Sequence, residues 1–290
     1  MEQIRNYIRD DASRHMLNEL TQKTFGFDFE PWVMKGHFEG DYIPYSIVED
    51  GKIISNVSAN RMQFMQNGVV KNYIQFGTVM TDENYRMQGL AAKLIKSVIA
   101  EYEGKCDGIY LFGNLDALGF YQKMGFQMIN EYKYFVKDEF CKGEKAETRF
   151  KPISDFGEEK KQQYMELVRK SAPHSSFEQI NKYGLQMFYT MWFDNVFYAE
   201  DIDCFIVLEI EDDSATLQSV LCKEKIALTE VLKRLDIEHC KLGFTPLDED
   251  MKICDSELYD GADDYRLFYM GEELKSIELE RLYFPDLSHA

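Results

Sequence analysis

Two dipeptides, Asp50-Gly51 and Asn67-Gly68, constrain this chain more than any other feature. They separate three runs rich in β-branched and aromatic residues: "YIPYSIVE" (42–49), "KIISNVSANRMQFMQ" (52–66) and "VVKNYIQFGTVMT" (69–81). Asp-Gly and Asn-Gly between such runs are the strongest short-range hairpin signals, because the tight turn needs positive φ at both central residues. The chain therefore has an antiparallel meander. A helix follows, with Leu90, Leu94, Ile95, Val98 and Ile99 at helical spacing and Lys93 and Lys96 turned outward.

Between meander and helix lies "TDENYRMQGLAAKL", Thr81 to Leu94. Gly89 removes a Cβ where the chain turns, Ala91 keeps the first helical turn slim, and Arg86 can add a fork of donors. A helix start carries unpaired N–H groups and partial positive charge, so a bare one can bind a phosphate. Two readings stay open on these residues alone, a plain tight turn and an anion site. No GKS or GKT and no GxGxxG is present, which excludes a P-loop and a dinucleotide fingerprint.

The remaining pattern is mixed α/β. A helix is expected before Gly26, then an irregular aromatic stretch with Phe25, Phe27, Phe29, Trp32 and Phe38, read as core or lid packing. After the central helix come a buried strand "GIYLFG" and a short helix "DALGFYQKMGF", with Asp116 as N-cap and Gly125 just past its end. The strand "YKYFVKD" is expected to close the first domain. This gives a first domain over 1–138, a polar linker over 139–149 and a second α/β domain over 150–290. The second half reads as a helix over 157–171, strands "CFIVLEI" and "SATLQSVLC", an amphipathic helix "KEKIALTEVLKRL" and strands "CKLGFTP" and "YRLFYMG". "MFYTMWFDNVFY" (187–198) reads as core.

The charge is uneven. Residues 1–142 hold 16 Lys and Arg against 19 Asp and Glu, and the remainder 17 against 32. A net charge of −18 argues against a nucleic-acid partner. It permits a cationic ligand near the second half. No apolar run approaches the ~20 residues of a membrane helix, so no membrane partner and a cytoplasmic location are expected. The six cysteines form no CxxC or zinc spacing and read as free thiols; the histidines suggest no metal site.

One further stretch adds chemistry. "NLDALGFYQKMGF" (114–126), taken with Arg86-x-x-Gly89-x-Ala91 upstream, resembles the paired motifs of the GNAT (GCN5-related N-acetyltransferase) superfamily. That family's patterns are Q/R-x-x-G-x-G/A and N-x-x-A-x-x-x-Y-x-K-x-G-F; Asn114, Ala117, Tyr121, Lys123, Gly125 and Phe126 all match. The resemblance covers residues 10–138 and implies acetyl-CoA as donor, with transfer to a primary amine. It implies that Val79, Met80 and Thr81 offer backbone groups to the pantetheine arm and thioester. It implies that Arg86, Met87, Gln88, Gly89, Leu90 and Ala91 cradle the pyrophosphate. Asn114 and Ala117 would lie along the cofactor arm, Lys123 near its phosphates, and Tyr121 would protonate the departing thiolate. Transfer would be direct, since no activated nucleophile is visible.

The general base is a gap. Where some members of the family carry a glutamate, this chain has Gln75, which takes no proton. A water chain, a residue of the aromatic loop, a neutral amine, or the terminal carboxylate of Ala290 could fill the role, the last because the tail "YFPDLSHA" is apolar enough to dock. Glycine at 77 inside a strand suggests a bulge or a close backbone approach. The second half lacks the glycine loop, so it is read as a degenerate GNAT-like copy that walls off the acceptor site or forms a homodimer interface. The expected acceptor is a small molecule, with a polyamine or amino sugar favoured by the acidity. The alternatives are a protein or peptide N-acetyltransferase and a noncatalytic acyl-CoA sensor.

Overall fold

Both hairpins form. In this computed structural model, which describes residues 1–290, φ is 50° and 74° at Asp50 and Gly51, and 51° and 74° at Asn67 and Gly68. These are the paired left-handed residues of a type I′ turn. Strands β1 (Glu2–Arg5), β2 (Tyr42–Glu49), β3 (Lys52–Gln66) and β4 (Val69–Thr81) are antiparallel neighbours, and β5 (Gly108–Gly113) runs parallel to β4. Helix α1 (Asp11–Phe25) starts on an Asp10 side-chain cap and stops at left-handed Gly26. It is followed by the single-turn α2 (Glu30–Met34). Helix α3 (Leu90–Tyr102) buries Leu90, Leu94, Ile95 and Val98 against Tyr45, Val57 and Ile109, with Lys93 and Lys96 exposed. The short α4 (Leu118–Lys123) follows β5 and ends at Gly125, whose φ is 94°. Asp116 is not its N-cap; a 3-10 turn over Leu115–Ala117 intervenes, and no side chain caps the helix.

The end of the first half corrects the expected domain plan. Strand β6 (Gln127–Ile129) stays with the first sheet, but β7 (Glu131–Val136), expected to close it, lies in a second sheet. That sheet also contains β8 (Lys151–Pro152), while β9 (Phe177–Gln179) pairs with β3. Next come β10 (Val196–Ala199), β11 (Cys204–Glu211), β12 (Ser214–Leu221), β13 (His239–Leu242) and β14 (Cys254–Tyr259), all of the second sheet. The last strand, β15 (Arg266–Met270), crosses back and inserts between β5 and β6. The sheet orders are β1-β2-β3-β4-β5-β15-β6 and β14-β7-β13-β12-β11-β10-β8. Each contains one parallel pair, β4 with β5 and β12 with β13, and each takes the strand beyond that pair from the other half.

A cut near residue 139 therefore does not separate the sheets. The expected linker is packed as well: Cys141 is buried, and Ala146 and Phe150 donate to the carbonyls of Lys233 and Arg234. The halves also share a core, in which Leu17 and Leu20 of α1 meet Tyr164, Leu167 and Val168 of the Gly157–Lys170 helix. The amphipathic helix expected over 223–235 shortens to Leu228–Leu232. The six cysteines are free thiols, all but Cys106 buried. No helix is long and apolar enough to cross a membrane.

Candidate active site

The first cavity arises because two parallel strands part. β4 and β5 pair only at Tyr73 with Gly108, Ile74 with Ile109 and Gln75 with Tyr110. Beyond Gln75 the β5-facing edge of β4 has no strand neighbour, so its backbone groups face a cleft of about 850 Å³. A bulge sharpens the separation. Between Asn56 and Ser58 of β3 the partner residues jump from Met80 to Gly77, leaving one extra residue on β4, and Thr78 takes a φ of 40°. Val79, Met80 and Thr81 line the cleft.

Its far end is the turn into α3. Gly89 is the N-cap with a φ of 75°, no side chain caps the helix, and its first turn holds no acid. The N–H groups of residues 87–92 meet no backbone carbonyl. Free donors at a helix start, with nothing within 4 Å of a Cβ built on Gly89, fit a pyrophosphate. Arg86, Met87, Leu90 and Ala91 line this end; the Gln88 side chain is exposed and turned out, leaving only its backbone to the cradle.

The motif after β5 supplies the opposite wall. Asn114, Ala117 and Tyr121 line the cleft. Lys123 does not: two residues past Tyr121 on the same helix, it is exposed on another face. Tyr121 is held by rings. Phe268 of β15 lies 5.2 Å away between centroids, and a Cβ on Gly113 would come within 2.9 Å of the Tyr121 ring. Burial alone pushes the Tyr121 phenol up to about 12, so the group stays protonated at neutral pH.

A second cavity, of about 240 Å³, adjoins the first. Phe27, Phe29 and Trp32 from the aromatic stretch form one wall, and Phe188 and Tyr189 of the Tyr183–Thr190 helix another. These residues pack in the core as expected, Phe29 and Trp32 within it and Phe27 and Phe188 against it, and they line the cavity as well. The acid of the second half is not the site's acid: Glu39 and Asp41 come from the first half, and the residues 179–189 that line the cavity carry no carboxylate. Residue type identified the aromatic stretches as buried; which rings face a hollow depends on how the halves dock, which spacing does not encode.

Thr78, Phe25 and Ala290 line both cavities. Residues 284–290 are anchored step by step. Phe284 donates its N–H to Glu131 at 2.9 Å and stacks on Tyr110 at 4.2 Å. Asp286 donates its N–H to Gly243 O, the His289 ring stacks on Phe112 at 3.8 Å, and the Tyr189 hydroxyl donates to His289 O. The Ala290 N–H then donates to Oε1 of the fully buried Gln75. Gly77 is where the tail comes closest: a Cβ there would lie 2.5 Å from the Ala290 oxygen.

Comparisons with known proteins bear on the fold. A family model described as "Acetyltransferase (GNAT) family" matches residues 2–126. A comparison with curated proteins found no match. Among solved structures, a conserved protein of unknown function from Enterococcus faecalis V583, described as a probable N-acyltransferase, superposes with a TM-score of 0.60 at 14% identity, over 95% of this chain and 73% of that one. A GCN5-related N-acetyltransferase from Kribbella flavida gives 0.55 at 13% identity, over 94% and 73%. Eis1 from Mycobacterium abscessus gives 0.60 at 8% identity, over 94% and 75%. The likeness to these three extends through both halves.

Proposed function

For a chain that belongs, through residues 2–126, to the GNAT acetyltransferase family and is an acyltransferase, we propose the specific reaction of acetyl transfer from acetyl-CoA to the primary amine of a small acceptor. The observation that carries this reading is the meeting of the two cavities at Thr78 and Ala290. A donor in the cleft and an amine in the second cavity would face each other there, so transfer needs no acyl-enzyme.

The residues divide the work by position. The free N–H groups of residues 87–92 hold the pyrophosphate, and the unpaired edge of β4 beyond Gln75 aligns the arm of the donor. An N–H on that edge stabilises the negative charge that gathers on the thioester oxygen. The amine nitrogen bonds to the carbonyl carbon as the C–S bond breaks. The proton lost by the amine passes to water in the joined cavities, and the Tyr121 hydroxyl gives its proton to the departing sulfur. Gln75 takes no proton; its Oε1 holds the Ala290 N–H at the junction of the cavities.

Thiol release from acetyl-CoA over a set of amines, in wild type and Tyr121→Phe, tests the reading. Because the Tyr121 hydroxyl meets no group of the chain, the variant keeps the fold and its acetyl-CoA KM. Its kcat falls by roughly 10² to 10⁴. Donor binding without amine-dependent thiol release in the wild type would instead identify an acyl-CoA sensor.

A further inference from the structure

Three buried side-chain atoms meet no hydrogen-bonding group of the chain: Gln75 Nε2, the Tyr110 hydroxyl and His289 Nε2. They share one neighbourhood. Gln75 and Tyr110 are register partners at the last pairing of β4 with β5, so their side chains rise from the same face of the sheet. Phe112, two residues past Tyr110 on that face, carries the stacked His289 ring. Phe284 stacks on Tyr110, and its backbone hydrogen-bonds the His289 ring. The Ala290 N–H, next along the chain, is already on Gln75 Oε1. This neighbourhood adjoins the reaction: His289 lines the second cavity, and Phe112 beneath it lines the cleft.

The three atoms are complementary to water. The Ala290 N–H requires an oxygen, so the free end of the Gln75 amide is its NH2 donor. Nε2 of His289 has no partner, so the bond to the Phe284 backbone runs through Nδ1, and Nε2 keeps the lone pair of a neutral ring. Burial takes that ring down to about 4, against the Phe284 bond, which raises it, and with Lys133, which adds to the lowering. The other titratable groups around it are Tyr110, Tyr189, whose hydroxyl donates to His289 O, and Tyr265, whose ring lies 6.0 Å away. The nearby carboxylates are engaged elsewhere, Glu131 by Phe284 N–H and the Tyr265 hydroxyl, and Asp286 by the Tyr283 hydroxyl. A donor, an acceptor and a hydroxyl that serves as either are what one buried water, or two in a row, satisfies. Resting on the reading that transfer occurs where the cavities meet, we infer that His289 Nε2 accepts the proton of the amine through water held by Gln75 and Tyr110. As the amine nitrogen bonds to the thioester carbon, it gives a proton to that water, and the water gives one of its own to Nε2. The imidazolium returns the proton to solvent through the second cavity after the products leave. Gln75 and Tyr110 position the water and take no proton.

Two readouts separate this proposal from the reaction it rests on. NMR of protein labelled with nitrogen-15 in its histidine rings reads His289 without donor or amine, the signal being assigned with His289→Gln. The expected result is a neutral ring with its hydrogen on Nδ1 from pH 8 down to about pH 5. A hydrogen on Nε2 at neutral pH, or a midpoint near the ordinary value of about 6.5, overturns the proposal even if every variant fails to fold. Thiol release from acetyl-CoA at saturating amine is the second readout. Wild-type kcat should stay level between about pH 5 and pH 8, and His289→Gln, which keeps a polar end but takes no proton, should lower it roughly 10²-fold or more with the acetyl-CoA KM unchanged. His289→Phe, which keeps a ring on Phe112, should fall as far, and added imidazole should restore part of the His289→Gln turnover. Thiol release as fast in His289→Gln as in wild type overturns the proposal and leaves the transfer reaction standing. No amine-dependent release in wild type sinks the reaction, and this proposal with it.

Discussion

The amide of Ala290 donates to Oε1 of Gln75 at 3.1 Å. Gln75 is the last residue of β4 to pair with β5, so residues 284–290 are held where the sheet opens. A glutamine here accepts the amide without burying a charge. The position that lacks the family's occasional glutamate holds the tail instead.

Gly77→Ala tests how tightly the tail is seated. Gly77 does not sit at positive φ, so alanine adds no backbone strain. Its Cβ would lie 2.5 Å from the Ala290 oxygen and 2.9 Å from Asn60 Nδ2. The tail must shift at the junction of the two cavities, and kcat should fall by roughly tenfold or more, since small misplacement at a reacting centre costs up to about 10²-fold. Steady-state kinetics with a fixed amine checks this, and an unchanged kcat would mean that the seat of the tail does not matter for transfer.

Gly89→Glu addresses the cleft. The position is open, so the side chain fits, but it carries a negative charge to the free N–H groups of residues 87–92. Donor affinity should drop roughly tenfold or more. Gly89→Ala is the control: at a φ of 75° it costs about 1 kcal/mol of stability and leaves donor affinity nearly intact. Calorimetric titration of both variants with coenzyme A checks this; equal affinities would place the pyrophosphate elsewhere.

Much of the first cavity was legible in the sequence. Asp50-Gly51 and Asn67-Gly68 turned where local turn chemistry demands, and the motif residues Asn114, Ala117 and Tyr121 share one cleft with the turn at Gly89. Legibility failed where partners are distant. Nothing in "YKYFVKD" or "YRLFYMG" says that β7 and β15 exchange sheets, because a strand pattern records burial and not its neighbour. Lys123 matched the motif letter by letter, yet helix geometry turns it to solvent. The second cavity was hidden for the same reason as the exchange: its rings come from residues 25–42 and 188–189, joined only by the docking of the halves.

Glu131 ties stability to pH. It is 1% exposed, and burial raises its carboxyl to about 8, against the N–H of Phe284 and the Tyr265 hydroxyl, which lower it. The native state keeps this proton where the unfolded chain, with an ordinary carboxyl, has lost it. Stability therefore falls as pH rises from about 4.5 towards 8, by on the order of a few kcal/mol. Glu131→Gln keeps an acceptor for Phe284 and has no proton to lose. Urea unfolding at pH 5 and pH 8 should show a smaller loss in the variant; equal losses would mean that Glu131 ionises freely in the fold.

The central claim, that donor and amine meet where the two cavities join at Thr78, is tested most directly by determining the structure with coenzyme A bound. The account predicts the pyrophosphate on the N–H groups of residues 87–92 and the sulfur between Thr78 and the Tyr121 hydroxyl. A sulfur placed away from that junction would contradict it.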